Sequence, residues 1–345
     1  MKKINIIILI LFFISCENSD DVPSEPIIEP IIEPLIVEDL NVSKWPYNYE
    51  SAISFIWDDN NEDHYLQIAP AFDLYNFKAS FGVITSQFQL NNNQQLSQKY
   101  IYGYQNIISN GHEIMSHSHS HLPVESLNND QIIFELSESK RLINQYLNVD
   151  PISYVHPNNR TNDFYNISLS SYYLYSRIYN PTFNSLTNSD ENFIANIGPA
   201  TNYNRFLYIH SLNIEASNWI VIAGHGVDYY GWAPILSDDL NDFLYYLYDY
   251  ELTWVDTFSR IALYNDIRND VVLNYENNII TFSGLDLDKY REYFNECILT
   301  FNFALPTEDV QIDFSDNLNL LNSYFENNSY SLTIDLFKGT EIKLK

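Results

Sequence analysis

The sequence predicts an α/β domain followed by a small antiparallel β module, and two textures along the chain carry that prediction. Between about residues 45 and 265, apolar strand-like runs alternate with helical periods, as strands and their covering helices do in a layered domain. After residue 265 the runs shorten, hint at alternation and are separated by Asn-, Asp- and Gly-bearing turns such as Asn277-Asn278. The 345 residues leave room for one barrel-sized domain and one small module.

Residues 1–15 belong to neither. Lys2 and Lys3 precede an apolar core, Ile4–Ile14, too short to span a bilayer as a mature helix, and the stretch reads as a signal peptide. Phe13-Ile14-Ser15-Cys16 resembles a bacterial lipoprotein box, which implies lipidation of Cys16; simple secretion is the alternative. Glu17, Asp20 and Asp21 resemble the surface-export signals of some Gram-negative lipoproteins, so the expected location is the cell envelope, at an outer membrane or cell surface. Residues 16–44 read as an acidic, proline-rich tether, because Pro26, Pro30 and Pro34 recur every fourth position and forbid regular helix.

Within residues 45–265 the strand candidates are Ala52–Ile56, Lys78–Ile84, His112–Ser116, Ile152–Val155, Leu174–Ile178, Phe206–Ile209 and Trp219–Ala223. Asp130–Leu147 is helical: Ile133, Leu136, Ile143 and Leu147 share a face, and Asn128 or Asn129 caps its start. Asp238–Tyr250 and Asp256–Tyr264 read as the last two helices. In residues 266–345, Val271–Tyr275, Ile279–Phe282, Cys297–Phe303, Val310–Phe314, Tyr330–Leu336 and Glu341–Leu344 are the short strands. This module holds no histidine, so the chemistry lies elsewhere; a cover for the first domain is its default role, glycan binding the alternative. With Cys16 lipidated, Cys297 has no partner and no disulfide framework exists; a packed core must supply stability, which 46% hydrophobic residues allow.

Chemistry concentrates in two places. Three of the eight histidines lie within five residues, in His117-Ser118-His119-Ser120-His121. His117 and His121 are four apart, so one helical turn or a tight loop puts both imidazoles on one side. Upstream, Trp57-Asp58-Asp59 ends the apolar run Ala52–Ile56, and paired aspartates at a buried strand end are costly unless bound to something. A histidine tract alone is often a solvated loop, and an Asp pair alone a helix cap. Their conjunction points to Asp59, His117 and His121 around one divalent metal, zinc first for mixed nitrogen and oxygen ligands, with Asp58 free to move protons.

These residues, with Gly111-His112-Glu113-Ile114, resemble the first two motifs of the polysaccharide deacetylase (NodB-homology) family. The resemblance spans roughly residues 45–265, and Ile222-Ala223-Gly224-His225 resembles the apolar-x-x-His motif of that family. It implies an irregular (β/α)7-type barrel with active groups at the C-terminal strand ends, where Asp58, His117 and His225 fall. It also implies a metal-dependent hydrolase that removes acetyl groups from N- or O-acetylated saccharides, with Asp58 as base and His225 as general acid. The backbone amide of Asn158, after Pro157, is the implied oxyanion donor. The excess of 45 acidic over 17 basic residues, net −28, repels nucleic acid and anionic surfaces, tolerates neutral glycans and attracts an amine product.

Three positions depart from the family pattern. Asn60 stands where a glycine is expected, Val155 where an arginine is, and Asn158 where an aromatic is, while the Trp-containing fourth motif is not placed in this sequence. Arg160 or Arg177 is a replacement for the arginine, an ordinary surface or structural role being the default for each. His119 faces away from its neighbours, His112 serves a local hydrogen bond, and His64 and His210 lack a named partner. A catalytically silent, glycan-binding surface lipoprotein is the second function class, supported by the altered third motif and opposed by the intact set Asp58, Asp59, His117, His121 and His225.

Overall fold

The computed structural model describes residues 35–89, 94–177, 192–216, 218–305 and 317–344. Cys16 and residues 16–34 of the expected tether lie outside them. The last stretch of that span enters the fold: β1 (Glu38–Val42) pairs antiparallel with a strand of the C-terminal module. Eight strands then form one parallel sheet: β2 (Ser51–Asp58), β3 (Ser80–Val83), β4 (Glu113–Ser116), β5 (Ser153–Val155), β6 (Tyr175–Arg177), β7 (Asn192–Asn196), β8 (Trp219–Gly224) and β9 (Thr253–Val255). Seven run in the order β6-β5-β4-β3-β2-β8-β7, a curled half-barrel. β8 pairs with Ala52–Trp57 along one side of β2, so the other side is shared, β9 meeting Ser51–Ile53 and β3 meeting Ile56–Asp58. The α/β half-barrel with seven strands on its path, plus small antiparallel sheets, is the predicted fold class.

All eight residues of β2 are buried, and the two-residue period sorts them into two cores. Ala52 and Ile56 join one cluster with Trp219, Val221 and Ala223 of β8. Ile53, Phe55 and Trp57 join the other, with Ile220 and Ile222, against helix residues Phe72, Phe206, Phe243 and Leu244. The first core continues through the helix Phe258–Asp270 into Ile280, Phe301 and Leu332 of the C-terminal module. That helix sits at the N-terminal strand ends: the Phe258 amide donates to Ser80 Oγ and the Ser259 amide to Glu113 Oε2. The opposite, C-terminal strand ends stay open for a cleft.

The module holds β10 (Val272–Glu276), β11 (Ile279–Ser283), β12 (Ile298–Ala304), β13 (Leu320–Glu326), β14 (Ser329–Asp335) and β15 (Glu341–Lys343). They form antiparallel sheets of order β1-β12-β14-β13 and β10-β11-β15. The expected strand Val310–Phe314 lies outside the described residues. Cys297 is buried and free, its thiol pushed up to about 12 by burial.

The helix Asn129–Leu147 is capped as read: Asn128 accepts from the Gln131 amide and Gln131 returns a bond to the Asn128 amide. One strand expectation is wrong. Phe206–Ile209 lies inside the helix Tyr203–Ala216, and the strand at that place is β7. Phe206, Ile209, His210 and Asn213 are all buried, a spacing of i, i+3, i+4 and i+7 that belongs to a helix. Four apolar or aromatic residues in a row do not distinguish the two periods.

Candidate active site at the strand ends

The chain leaves β2 through a turn of two left-handed residues, Asp59 (φ 79°) and Asn60 (φ 57°). A glycine meets such a demand without strain. Asn60 tolerates it, and its buried amide clasps the backbone of Ile84, accepting from Ile84 N at 2.8 Å and donating to Ile84 O at 2.9 Å. The departure at Asn60 therefore keeps the turn and adds two bonds to the end of β3.

His117 follows β4 directly, its amide bonded to Val83 O at 2.8 Å. The segment to His121 is a tight loop rather than a helical turn. Ser118 (φ 64°) and His121 (φ 55°) are left-handed, and Ser118 Oγ accepts from the His121 amide at 2.8 Å. The loop brings the two imidazoles to 4.5 Å between centroids. Nε2 of His117 lies 3.5 Å, and that of His121 3.6 Å, from Asp59 Oδ1. One ligand atom from each of the three residues lies within 4.8 Å of the others.

Three observations test whether a metal fits. Among the described residues Asp59 Oδ1, although buried and facing both rings, has no hydrogen-bond partner. The 2.9 Å contact of His117 Nδ1 with Val155 O makes Nδ1 the protonated nitrogen and leaves Nε2 as a ligand. Burial, followed by the charge of His117, lowers the pKa of His121 and keeps that ring neutral. Burial would raise the pKa of Asp59, but His117, His225 and His121 outweigh it and hold the carboxyl at about 2. Burial likewise disfavours charge on His117, and Asp58 and Asp59 outweigh it, so its pKa is raised. Two imidazoles and a carboxylate with an open side suit a divalent metal such as zinc.

Asp58 faces a different environment. Its Oδ2 pairs with Arg177 Nη2, both side chains being buried. Arg177 ends β6, and its register partner on β5 is Val155, the position where the arginine was expected. The cation has moved one strand sideways at the same level of the sheet. It is therefore neither a surface residue nor a remote structural one, whereas Arg160 is exposed and approaches Glu125 at 3.5 Å. Among the described residues Asp58 Oδ1 has no hydrogen-bond partner. Gly82, the register partner of Asp58 on β3, leaves room for it: a Cβ there would stand 2.7 Å from Oδ1. Gly82 was not singled out from the sequence, although a lone glycine inside a short apolar strand signals close approach.

His225 follows β8, with Nε2 3.9 Å from Asp59 Oδ2 and Nδ1 buried without a partner among the described residues. Its carbonyl accepts from Asn61 Nδ2 at 2.7 Å and from His64 Nε2 at 2.8 Å. His64 thereby gains a role, with Nδ1 against Tyr104 Oη at 3.0 Å. Three further histidines make local bonds: His112 Nδ1 accepts from the Ala79 amide, His119 meets Thr85 Oγ1, and His210 Nε2 meets Thr253 Oγ1 at 2.7 Å. His156 is buried beneath the cleft it helps to line, with Nε2 3.3 Å from Ser176 Oγ.

A cleft of about 700 Å³ joins these groups; Asp58, Asp59, His117, His121, Arg177 and His225 line it. Asn158 (φ 55°) lies on its wall in the turn after Pro157, beside Asn159 and Arg160. The turn's own backbone bonds run from the amides of Asn159 and Arg160. Trp232, missed in the sequence because a single tryptophan in a short loop carries no periodic signal, also lines the cleft.

Residues 48–172 match the sequence model of the family described as polysaccharide deacetylase. No curated protein matches the chain. Among solved structures, a Mycobacterium smegmatis protein assigned to the polysaccharide deacetylases is similar at 14% identity, TM-score 0.49, over 66% of this chain and 94% of that one. A family 4 acetyl xylan esterase from Clostridium thermocellum, in complex with cobalt, is similar at 17% identity, TM-score 0.41, over 61% and 90%. A CE4 family pseudoenzyme from Bacillus anthracis is similar at 13% identity, TM-score 0.44, over 62% and 66%.

Proposed function

We propose, from the premise that residues 48–172 belong to the polysaccharide deacetylase family, that this chain is a metal-dependent hydrolase of N- or O-acetylated saccharides. The observation that carries the reading is the convergence of Asp59, His117 and His121 beside the separately held carboxylate of Asp58. A divalent metal held by the first three supplies Lewis acidity and acidifies a bound water. Asp58 takes the proton of the attacking water through Oδ1, the oxygen that Arg177 leaves free. The Asn158 amide donates to the oxyanion from the cleft wall. His225 Nε2 gives a proton to the departing nitrogen or oxygen, its ring placed by the bonds that Asn61 and His64 make to its carbonyl.

Arg177 also bears on the alternative of a silent glycan-binding protein. The Val155 departure favoured it; an arginine held on Asp58 from the next strand weakens it.

Acetate release from acetylated oligosaccharides tests the reading. Turnover by the metal-loaded chain is expected, with losses of roughly 10²–10⁴-fold in Asp58→Asn and His225→Ala. The His225→Ala loss should be smaller on an aryl acetate, whose leaving group departs without protonation. No acetate release by the metal-loaded wild type overturns the proposal.

The lipidated Cys16 and a cell-surface location belong to the same proposal and rest on the sequence pattern of residues 1–34. Cys16→Ser should free the protein from membranes, and wild type already free in the medium refutes the anchor.

A further inference from the structure

The loop between β8 and the helix Ser237–Tyr250 is fixed at many points. The Val227 amide donates to Asp63 Oδ2 at 2.6 Å, the Asp228 amide to Ile235 O at 2.7 Å, and the Ser237 amide to Asp228 Oδ1 at 2.9 Å. Two glycines allow it to lie close. A Cβ on Gly226 would stand 2.5 Å from Tyr230 O, and one on Gly231 (φ +75°) 2.6 Å from Asn61 Nδ2. Asn61 is the side chain that binds the His225 carbonyl, so the loop rests on the support of the candidate acid.

This pinned loop carries Trp232, 72% exposed, on the wall of the cleft, with its ring perpendicular to that of His225 at 5.1 Å. The chain has five tryptophans, and the other four, Trp45, Trp57, Trp219 and Trp254, are all buried. Scattered exposed apolar groups need no explanation, but a large aromatic surface carried into a cleft by a tied-down loop does. The backbone bonds of that loop are made before a ligand arrives, which lowers the ordering cost of binding. The same cleft is lined by Asn158, Asn159 and Asn196, amides suited to hydroxyl groups, and by Arg160. An aromatic face in one cleft with such donors and acceptors matches a sugar ring, apolar on its C–H face and polar at its rim.

We propose that Trp232 is a sugar-stacking platform that binds a pyranose ring of the substrate and so selects oligosaccharide esters and amides over small acetates. This rests on the saccharide reading above. It assigns substrate discrimination to the loop after β8, apart from the metal and proton-transfer groups.

Two measurements test it. In the first, kcat/KM of wild type, Trp232→Ala and Trp232→Phe is compared on an acetylated oligosaccharide and on an aryl acetate. The ratio of the two should shift against the oligosaccharide by on the order of tenfold in Trp232→Ala, chiefly through KM, with partial recovery in Trp232→Phe. Equal losses on both substrates, or a shift carried by kcat rather than KM as a disturbed His225 would give, overturn the proposal. In the second, acrylamide quenching of tryptophan fluorescence reports Trp232, because the other four indoles are buried. The acetylated oligosaccharide should protect against quenching, and Trp232→Ala should abolish the quenchable signal. Protection without acetate release supports the platform while the hydrolase reading fails. Acetate release without protection overturns the platform and leaves the hydrolase.

Discussion

Asp58 and Asp59 are adjacent in sequence, yet their neighbours assign them different chemistry. Asp59 faces three imidazoles, which overcome the cost of burial and keep it ionised, as the proposed ligand must be. Asp58 faces the guanidinium of Arg177, which compensates a buried negative charge and fixes one oxygen. The two members of this pair should therefore act as a unit. Arg177→Met is expected to lower turnover by roughly 10²-fold or more, and adding it to Asp58→Asn should cost little further. Metal content should be unchanged in all three variants; additive losses, or metal lost with Arg177, would contradict the assignment. The grouping of Asp59, His117 and His121 was legible in the sequence because His-x-x-x-His and a strand-end Asp pair are local patterns. Arg177 was only one of two candidates, because register across β5 and β6 decides which arginine reaches Asp58, and register is not local information.

Among the elements, the turn after β2 sets the candidate metal ligand Asp59. Asp59 and Asn60 are both left-handed, and the side-chain clasp of Asn60 on Ile84 ties the turn to the end of β3. Asn60→Gly keeps the backbone and loses the clasp, so a loss of about 1–3 kcal/mol in unfolding free energy is expected. Asn60→Ala adds the left-handed penalty, about 1 kcal/mol more. Chemical denaturation measures both, and equal stability of the two variants would show that the backbone conformation is not what Asn60 serves. Strong periodicity made β2, β8 and the helix Asn129–Leu147 readable. It misled at Phe206–Ile209, and it was weak at β13, whose residues are mostly exposed and show little alternation.

For the whole molecule, the barrel and the C-terminal module share one core, so the strand ends that carry the site rest on both. Buried histidines tie that stability to pH. Burial lowers the pKa of the fully buried His64 to about 4, while the unfolded chain keeps the ordinary value of about 6.5. Between those values the unfolded state binds the proton and the folded state does not. Stability from this residue is thus present above about pH 6.5 and is lost as pH falls towards 4, by up to about 1.4 kcal/mol per pH unit. The His64→Gln variant should show a shallower fall in denaturation midpoint over this range than wild type; an identical slope would contradict it. The most direct test of the account as a whole is a titration of metal-stripped protein with zinc, following bound metal and acetate release from an acetylated oligosaccharide together. The account predicts that both saturate at one equivalent, and that His117→Ala combined with His121→Ala abolishes both. Acetate release by the metal-free protein, or stoichiometric metal retained by the double variant, would contradict it.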